Sequence, residues 1–390
     1  MTRSELAKLS GLSVPTVSGI VSDLLADGYL DTERMPATRN RSGPRASALT
    51  LAADGHHVVG VYVGCDRLLV GTCDLRGVLV HADAVPLDRA MPAETVLGIA
   101  ARRVRDELAR AMRDGRDVLG VGVAVPGPVD PSGRRSLLTV DPRWRGLAVA
   151  DRLEQALGTP VVIEYNAQAI ALAEARRRDA EDAEDLLYLH VGHSLGTGSV
   201  VGGASSRRGT HGVAELGHLR VCDTGPRCEC GAVGCLSALV CAPYLQARME
   251  AAAKESPVLA DAAKAAEDTS CAAPLTALQR AAEAGDPAAG GILAEYVDHL
   301  STGLAAAMNL LSPARIVLGG MLADGEPALF GRIQAATRDK VFPLMADRTV
   351  VERLALGRDA GVIGAAAVAL DRLFYTTARP AEMTVPIPTR

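Results

Sequence analysis

Apolar and polar residues follow two different spacings along the chain, and each spacing predicts a different element. After Ser13 the apolar positions are 17, 20, 21, 24 and 25, which lie on one face of a helix. Ser13 is suited to cap this helix and Pro15 to stand in its first turn, where a missing N–H costs nothing. A shorter helical pattern over residues 4–9 stops at Gly11. The start of the chain therefore predicts two helices joined by a tight turn.

Farther along, short continuous apolar runs predict buried strands, and longer periodic stretches predict helices. The strand-like runs are 58–63, 68–73, 118–125, 161–164, 186–191 and 316–320. The helical stretches are 91–112, 300–311 and the alanine-rich segment 251–294. Strands that alternate with helices predict the α/β class. A length of 390 residues favours two or three domains.

A basic hairpin is predicted after the first two helices. Residues 29–30 and 48–51 read as two short strands, and no acidic residue lies between Arg34 and Arg45. Helix, turn, helix and hairpin are the order of a winged helix-turn-helix. Small polar side chains opposite the apolar stripe could approach phosphates and base edges. The candidate DNA contacts are Ser13, Thr16, Ser18, Ser22, Arg39, Arg41 and Arg45. The alternative is a small helical cap with a solvated basic loop.

The charge, the cysteines and the apolar runs of the chain indicate its cellular compartment and its kinds of binding partner. With 41 basic and 46 acidic residues the chain is no polycation, so any DNA contact must be local. Eight cysteines show no disulfide framework, which is typical of a reducing compartment. The first residues lack the pattern of a secretory signal, and no apolar run reaches the eighteen or so residues of a membrane span. We expect a cytoplasmic protein with no membrane partner.

Three cysteines lie close together near the middle of the chain. Cys228, Cys230 and Cys235 fall within eight residues, and Cys228 follows His218 by ten positions. Glycines between the cysteines allow the chain to turn back on itself. One histidine and three cysteines are a standard ligand set for a closed zinc site, so we predict one Zn²⁺ on these four residues. The alternatives are buried unliganded thiols or a disulfide pair.

The run GVAELGH at 212–218, followed by C-x-C-G-x-x-G-C, resembles the signature of the ROK family of repressors, open-reading-frame proteins and sugar kinases. The resemblance implies a two-lobed actin-like, sugar-kinase ATPase fold with ribonuclease H-like lobes. It also implies that the histidine and the cysteines hold zinc while Glu215 and His218 contact a sugar. One imidazole can serve both, because it has two nitrogens.

The predicted domains follow from this resemblance. Residues 1–53 are assigned to a winged helix-turn-helix DNA-binding domain and 57–375 to the kinase-like domain. Its first lobe spans about 57–170 plus a C-terminal helix, and its second lobe about 171–360. Residues 376–390 are expected to be a disordered tail. ROK repressors have a further helix before the first two, so the N-terminal domain is expected to be truncated.

The kinase machinery of the family is altered at several positions. The phosphate turn of the family has the pattern D-x-G-x-T, here at residues 62–66. Tyr62 occupies the position of the Asp, and Asp66 occupies the position of the Thr. Cys65 occupies the position of a second glycine. Asn166 stands where the kinases place the Asp that takes a proton from the sugar hydroxyl, and an amide cannot act as that base. The glycine-rich turn predicted at 192–198 resembles the second phosphate loop, with changes at His193 and Ser194. Ser237 replaces a glutamate that many relatives have.

These features predict a sugar-responsive transcriptional regulator, most simply a repressor, with no catalytic residue. Asn166, Glu215 and His218 are the predicted contacts to a sugar or sugar-phosphate effector. The expected partner is double-stranded operator DNA, bound by a homodimer or homotetramer. Two other functions stay open: a glucokinase-like ROK kinase that phosphorylates a hexose with ATP, and a structural or partner-binding module.

Overall fold

The structure, a computed structural model, describes residues 1–34, 47–137, 142–178, 185–206, 214–266, 270–323 and 325–375. It begins with helices α1 (Arg3–Ser10) and α2 (Val14–Ala26) and the antiparallel strands β1 (Leu30–Arg34) and β2 (Ser47–Leu51). The backbone N–H of Thr16 donates to Ser13 Oγ at 3.3 Å, which confirms the predicted cap of α2. The predicted hairpin tip and its Arg39, Arg41 and Arg45 lie outside the described residues.

Within the described residues no single helix is both long and apolar enough to cross a membrane. Only α1 and α2 taken together meet that criterion, and they are bent by 117° relative to each other.

A five-stranded sheet forms the first lobe. Its strands are β3 (His56–Val63), β4 (Arg67–Asp74), β5 (Leu79–Pro86), β6 (Asp117–Val125) and β7 (Val161–Tyr165). They lie in the order β5-β4-β3-β6-β7, with β6 and β7 parallel to β3. Helices α3 (Ala93–Arg113) and α4 (Val149–Leu157) cover one face. Trp144 is 3 % exposed in this core.

The second lobe repeats the topology of the first. Its strands are β8 (Leu186–Val191), β9 (Leu195–Val201), β10 (Ala204–Ser205), β11 (Arg315–Gly320) and β12 (Val350–Arg353). They lie in the order β10-β9-β8-β11-β12, so the first three strands again form an antiparallel meander and the last two run parallel to the first strand. Consequently the β3–β4 turn and the β8–β9 turn occupy equivalent positions in the two lobes.

Helices α5 (Asn166–Arg176) and α13 (Ala360–Ala369) pack against each other between the two sheets. Their approach is close because a glycine lies at the contact: a Cβ on Gly364 of α13 would collide with the Ala169 carbonyl of α5. On the other side Gln168 joins α5 to β9, donating to the Ser199 carbonyl at 2.7 Å. The predicted lobe boundary after residue 170 falls inside α5.

The alanine-rich stretch is not one helix but several, and they pack on the second sheet in a large core. The helices of this part are α6 (Ser237–Val240), α7 (Ala242–Ala252), α8 (Pro257–Ala266), α9 (Ala273–Glu283) and α10 (Pro287–Leu311). Prolines in the first turn of α7, α9 and α10 mark the breaks, since proline suits a helix start. Helices α11 (Pro327–Lys340) and α12 (Pro343–Ala346) follow β11.

One predicted turn is shorter than expected. The prediction of a glycine-rich turn over residues 192–198 is wrong beyond Ser194, because Gly196 and Gly198 lie in strand β9. Their lack of a side chain serves packing: a Cβ on Gly196 would collide with the Tyr165 hydroxyl, and one on Gly198 with the Ala167 carbonyl. The two glycines therefore let α5 pack directly against strand β9.

Candidate functional site

The four predicted metal ligands converge at one point. The ligand atoms of His218, Cys228, Cys230 and Cys235 all lie within 4.8 Å of one another. His218 Nδ1 is 3.5 Å from Cys228 Sγ, and Cys230 Sγ is 3.7 Å from Cys235 Sγ. A tetrahedral zinc with Zn–S bonds of about 2.3 Å and a Zn–N bond of about 2.1 Å requires separations of roughly 3.6 Å (N–S) and 3.8 Å (S–S). The donor set and both measured edges therefore fit zinc.

Short-range backbone contacts shape the loop that carries these thiols, which we call the cysteine loop (residues 228–235). Cys228 N donates to the Ala232 carbonyl at 2.7 Å, and Gly231 N donates to the Cys228 carbonyl at 2.8 Å. Gly231 and Gly234 have φ of 93° and 78°, a region that favours glycine. The spacing of the glycines is thus what lets three thiols face one another.

The thiols of the cysteine loop differ in proton affinity. A hydrogen bond from the backbone at Ala232 lowers the pKa of Cys230, while burial raises that of Cys235 to about 12. Metal binding takes thiols as thiolates, so a bound cation would release the proton from the buried thiol.

The predicted sugar contacts lie in the turn before the cysteine loop and at the first residue of α5, and strand β9 connects these two places. Gly217 packs against Leu195, and the next glycine of that strand, Gly196, packs against Tyr165. Asn166 follows Tyr165 as the half-buried first residue of α5. The charge of Glu215 is among the groups that, after burial, raise the pKa of Tyr165. The structure therefore brings the start of α5, at the end of β7 of the first lobe, and the Glu215–His218 turn of the second lobe to one region.

His218 has the orientation that a dual role needs. Its Nδ1 faces the thiol of Cys228, which leaves Nε2 for another partner. Glu215 is exposed and His218 half-buried, so both can meet a ligand from solvent. Ser237, at the predicted glutamate position, begins α6 with its hydroxyl 3.5 Å from Cys241 Sγ.

Tyr62 fills space at the end of β3 near the two central helices. Its ring packs so closely on Gly361 that a Cβ there would collide with it. Burial raises the pKa of Tyr62, so the phenol is neutral and offers no carboxylate for a metal–phosphate complex. Tyr165 and Tyr188 lie near Tyr62, and burial raises their pKa as well.

Asp66, expected as a repulsive carboxylate in the β3–β4 turn, has a counter-ion. Its Oδ1 accepts from Arg67 Nε at 3.0 Å. Burial disfavours its ionisation, but the Arg67 guanidinium outweighs burial and lowers the pKa of Asp66. The charge is therefore held by Arg67 at the surface of the turn.

Contacts between the lobes join the β3–β4 turn to the segment just before α9, and Arg89 to the β8–β9 turn. We call this group of residues, Cys65, Asp66, Arg89, His193 and Cys271, the facing turns. Arg89 Nη1 lies 3.5 Å from His193 Nδ1, and Arg89 Nη2 lies 3.6 Å from Cys271 Sγ. Cys65 Sγ lies 2.6 Å from Cys271 Sγ. Neither Arg89 nor Cys271 was predicted as a site residue. Their separation along the chain leaves no local pattern that could have linked them.

The predicted DNA contacts on α2 differ in their accessibility. Thr16 and Ser22 are exposed and Ser18 is half-buried, opposite Val17 and Val21 in the small core. Their hydroxyls already have partners within the helix: Ser13 Oγ lies 2.8 Å from Thr16 Oγ1, and Ser22 Oγ donates to the Ser18 carbonyl at 2.8 Å.

Two duplicated lobes, paired central helices and a His-Cys₃ cluster define a two-lobed, sugar-kinase-like α/β protein. The ROK family profile matches residues 58–372, and the chain belongs to the ROK family.

Both branches of the family appear among its relatives. A xylose repressor from Bacillus spizizenii is 21 % identical over 371 residues, 95 % of this chain and 91 % of the repressor. A crystal structure of a ROK family transcriptional regulator, a homologue of the Escherichia coli MLC protein, has a TM-score of 0.77 at 22 % identity, covering 95 % of this chain and 92 % of that one. A ROK glucokinase from Streptomyces griseus, crystallised with glucose and AMPPNP, has a TM-score of 0.66 at 27 % identity, covering 80 % of this chain and 98 % of the glucokinase.

Proposed function

We propose that this protein is a sugar-responsive, DNA-binding repressor whose kinase-like body holds one zinc ion and no longer transfers phosphate. The observation that carries the proposal is the unit α1–α2–β1–β2, which precedes the family match at residue 58 and exposes the polar side of α2. Similarity to the xylose repressor spans 95 % of the chain, whereas similarity to the glucokinase spans 80 %.

In this proposal the N-terminal unit is a winged helix-turn-helix that contacts double-stranded operator DNA. Helix α2 presents Thr16, Ser18 and Ser22 to the major groove, and Arg39, Arg41 and Arg45 contact phosphates or the minor groove. The arginines matter because residues 1–34 carry five acidic and only three basic residues. Attraction to a polyanion must therefore come from residues 35–46, which carry three arginines and no acidic residue.

The sugar site is proposed at Asn166, Glu215 and His218. Glu215 accepts hydrogen bonds from sugar hydroxyls, His218 donates through Nε2, and the amide of Asn166 can do both. Zinc on His218, Cys228, Cys230 and Cys235 would fix the orientation of the imidazole. Because Asn166 cannot take a proton, the same contacts would support binding without transfer.

Coupling between sugar and DNA needs two arrangements of the molecule with different affinities. The lobes meet through α5 and α13, so a sugar held between them could change the angle of the lobes. In a homodimer or homotetramer that angle would set the spacing of paired DNA-binding units, which must match half-sites about one helical turn or a multiple apart.

The test measures DNA affinity of wild type and of an Arg41→Ala/Arg45→Ala variant over a range of salt concentrations. We expect weaker binding and a slope of log K against log salt that is smaller by roughly 2, about 0.9 per lost phosphate contact. The matched control, Arg102→Ala/Arg103→Ala, removes two exposed arginines from α3 and should leave both values unchanged. Equal behaviour of the two variants would contradict the proposed DNA-binding unit.

The second candidate is a hexose kinase, favoured by the glucokinase similarity at 27 % identity. An ATP-dependent phosphorylation assay on hexoses separates the two: turnover that an Asn166 substitution abolishes would establish the kinase.

A further inference from the structure

The contact between the facing turns places two thiols from different lobes together. Cys65 lies between β3 and β4 of the first lobe, and Cys271 lies just before α9 in the second, 206 residues along the chain. Their sulfur atoms are 2.6 Å apart, with neither thiol among the residues of the cysteine loop. A disulfide bond brings its two sulfur atoms to about 2.05 Å, so these thiols already lie close to bonding distance.

We infer that Cys65 and Cys271 form a peroxide-oxidisable pair whose disulfide joins the two lobes covalently. Because one partner belongs to each lobe, the bond would hold the lobes in the arrangement described here. The inference does not depend on the proposed DNA-binding or sugar-binding function.

The surroundings assign different roles to the two thiols. The contact with the Cys65 thiol lowers the pKa of Cys271, and the guanidinium of Arg89 lowers it further, against the effect of burial. The same contact raises the pKa of Cys65. The carboxylate of Asp66 and the backbone of His193 also face Cys271, while the His193 imidazole lies against Arg89. Arg89 Nη2 lies 3.6 Å from Cys271 Sγ, so the guanidinium favours Cys271 as the attacking thiolate. Cys65 is then the thiol that resolves the intermediate.

The chemistry consumes one peroxide per disulfide. The Cys271 thiolate attacks a peroxide oxygen, the O–O bond breaks, and the leaving hydroxide takes a proton to become water. Cys271 is then a sulfenic acid. The Cys65 sulfur attacks the Cys271 sulfur, the S–S bond forms as the S–O bond breaks, and the departing hydroxide leaves with the Cys65 proton as a second water. Two thiols and hydrogen peroxide thus give one disulfide and two waters.

A metal ion is a poorer occupant of the same place. Cys65, Asp66 and Cys271 could offer three ligand atoms. However, Arg89 Nη2 lies 3.6 Å from Cys271 Sγ, where a positive charge opposes a cation. The carboxylate of Asp66 is already engaged by Arg67. A guanidinium beside a thiolate favours oxidation over metal binding.

The sequence makes the test direct. Trypsin cuts after arginine and lysine, so Cys65 falls alone in the peptide 46–67 and Cys271 alone in the peptide 265–280. The full-length reduced protein is treated with hydrogen peroxide, remaining thiols are alkylated, and the digest is read by mass spectrometry. We expect the two peptides to appear linked, at their summed mass less two hydrogens, in the monomer band of a non-reducing gel. A dithiol reductant should release them.

Three variants supply the controls. Cys65→Ser and Cys271→Ser should each abolish the linked peptide, while Cys73→Ala, which removes a fully buried thiol of β4, should retain it. Oxidation of either thiol to sulfinic or sulfonic acid without a linked peptide would overturn the inference. So would a linked peptide found only in a covalent dimer, because the bond would then not join the lobes of one chain.

Discussion

The cysteine loop and the facing turns both collect sulfur atoms, but they do so in opposite ways. In the cysteine loop all three thiols come from eight consecutive residues, held by hydrogen bonds within the loop itself. At the facing turns the two thiols are 206 residues apart and meet only because the lobes meet. The first cluster therefore depends on local backbone geometry, and the second on the relative position of the two lobes.

The cysteine loop and the facing turns also differ in the charge of the side chain next to the thiols. The cysteine loop has a histidine 3.5 Å from a thiol, and a neutral imidazole adds a fourth ligand for a cation. The facing turns have an arginine 3.6 Å from a thiol, and a guanidinium repels a cation while favouring a thiolate. The same element, sulfur, is thus suited to metal binding in one place and to oxidation in the other.

The largest expected effect is loss of metal from the cysteine loop. Replacing Cys230 by Ser should reduce metal content from one zinc per chain to almost none and lower the midpoint of thermal unfolding. The free energy of structural zinc binding is on the order of 10 kcal/mol, so chelation should produce the same change in wild type. Metal analysis and thermal unfolding measure both.

The control is Cys222→Ser, which changes a half-buried cysteine close to the loop but outside the four ligands. This variant should keep both its zinc content and its midpoint of thermal unfolding. A wild-type protein without zinc, its three loop thiols freely titratable, would contradict the metal site.

A smaller effect is expected from oxidation of the facing turns. A disulfide that closes a loop of this length would stabilise the folded chain by up to about 5 kcal/mol in the chain-entropy account. Peroxide-treated wild type should therefore unfold at a higher temperature than reduced wild type, and Cys65→Ser should show no such rise. An equal rise in that variant would assign the change to other thiols.

The sequence predicts a site when its residues are close together along the chain, and fails when they are brought together only by the packing of distant elements. His218 and the three loop cysteines were predictable because their order along the chain already contains the geometry of the cluster. Ser13 as a cap was predictable for the same reason, since a cap acts on its own helix. Cys271 was not predictable, because only the packing of two separate sheets brings it to Cys65. Gly196 and Gly198 were misassigned to a turn since their partner, α5, is distant from that pattern.

Phosphate transfer is expected to be absent, and a single substitution should not restore it. Loss of a general base costs about 10²–10⁴-fold in rate, and the family resemblance implies that Tyr62 and Asp66 also replace groups of the phosphate turn. Asn166→Asp should thus remain inactive with ATP and every hexose tested, while sugar binding, followed by thermal shift, persists. A coupled-enzyme assay that finds hexose phosphorylation in Asn166→Asp would show that the phosphate turn still works.

The central claim is that sugar and DNA affect each other's binding through the two lobes. The most direct measurement is the DNA affinity of the reduced, zinc-loaded protein, by fluorescence anisotropy on fragments selected from genomic DNA, across a panel of sugars and sugar phosphates. We predict that one of them lowers DNA affinity by about 5- to 150-fold, and that the fragment lowers affinity for that sugar by the same factor. If the protein selects no fragment, or if its DNA affinity is the same with every sugar in the panel, the account is contradicted.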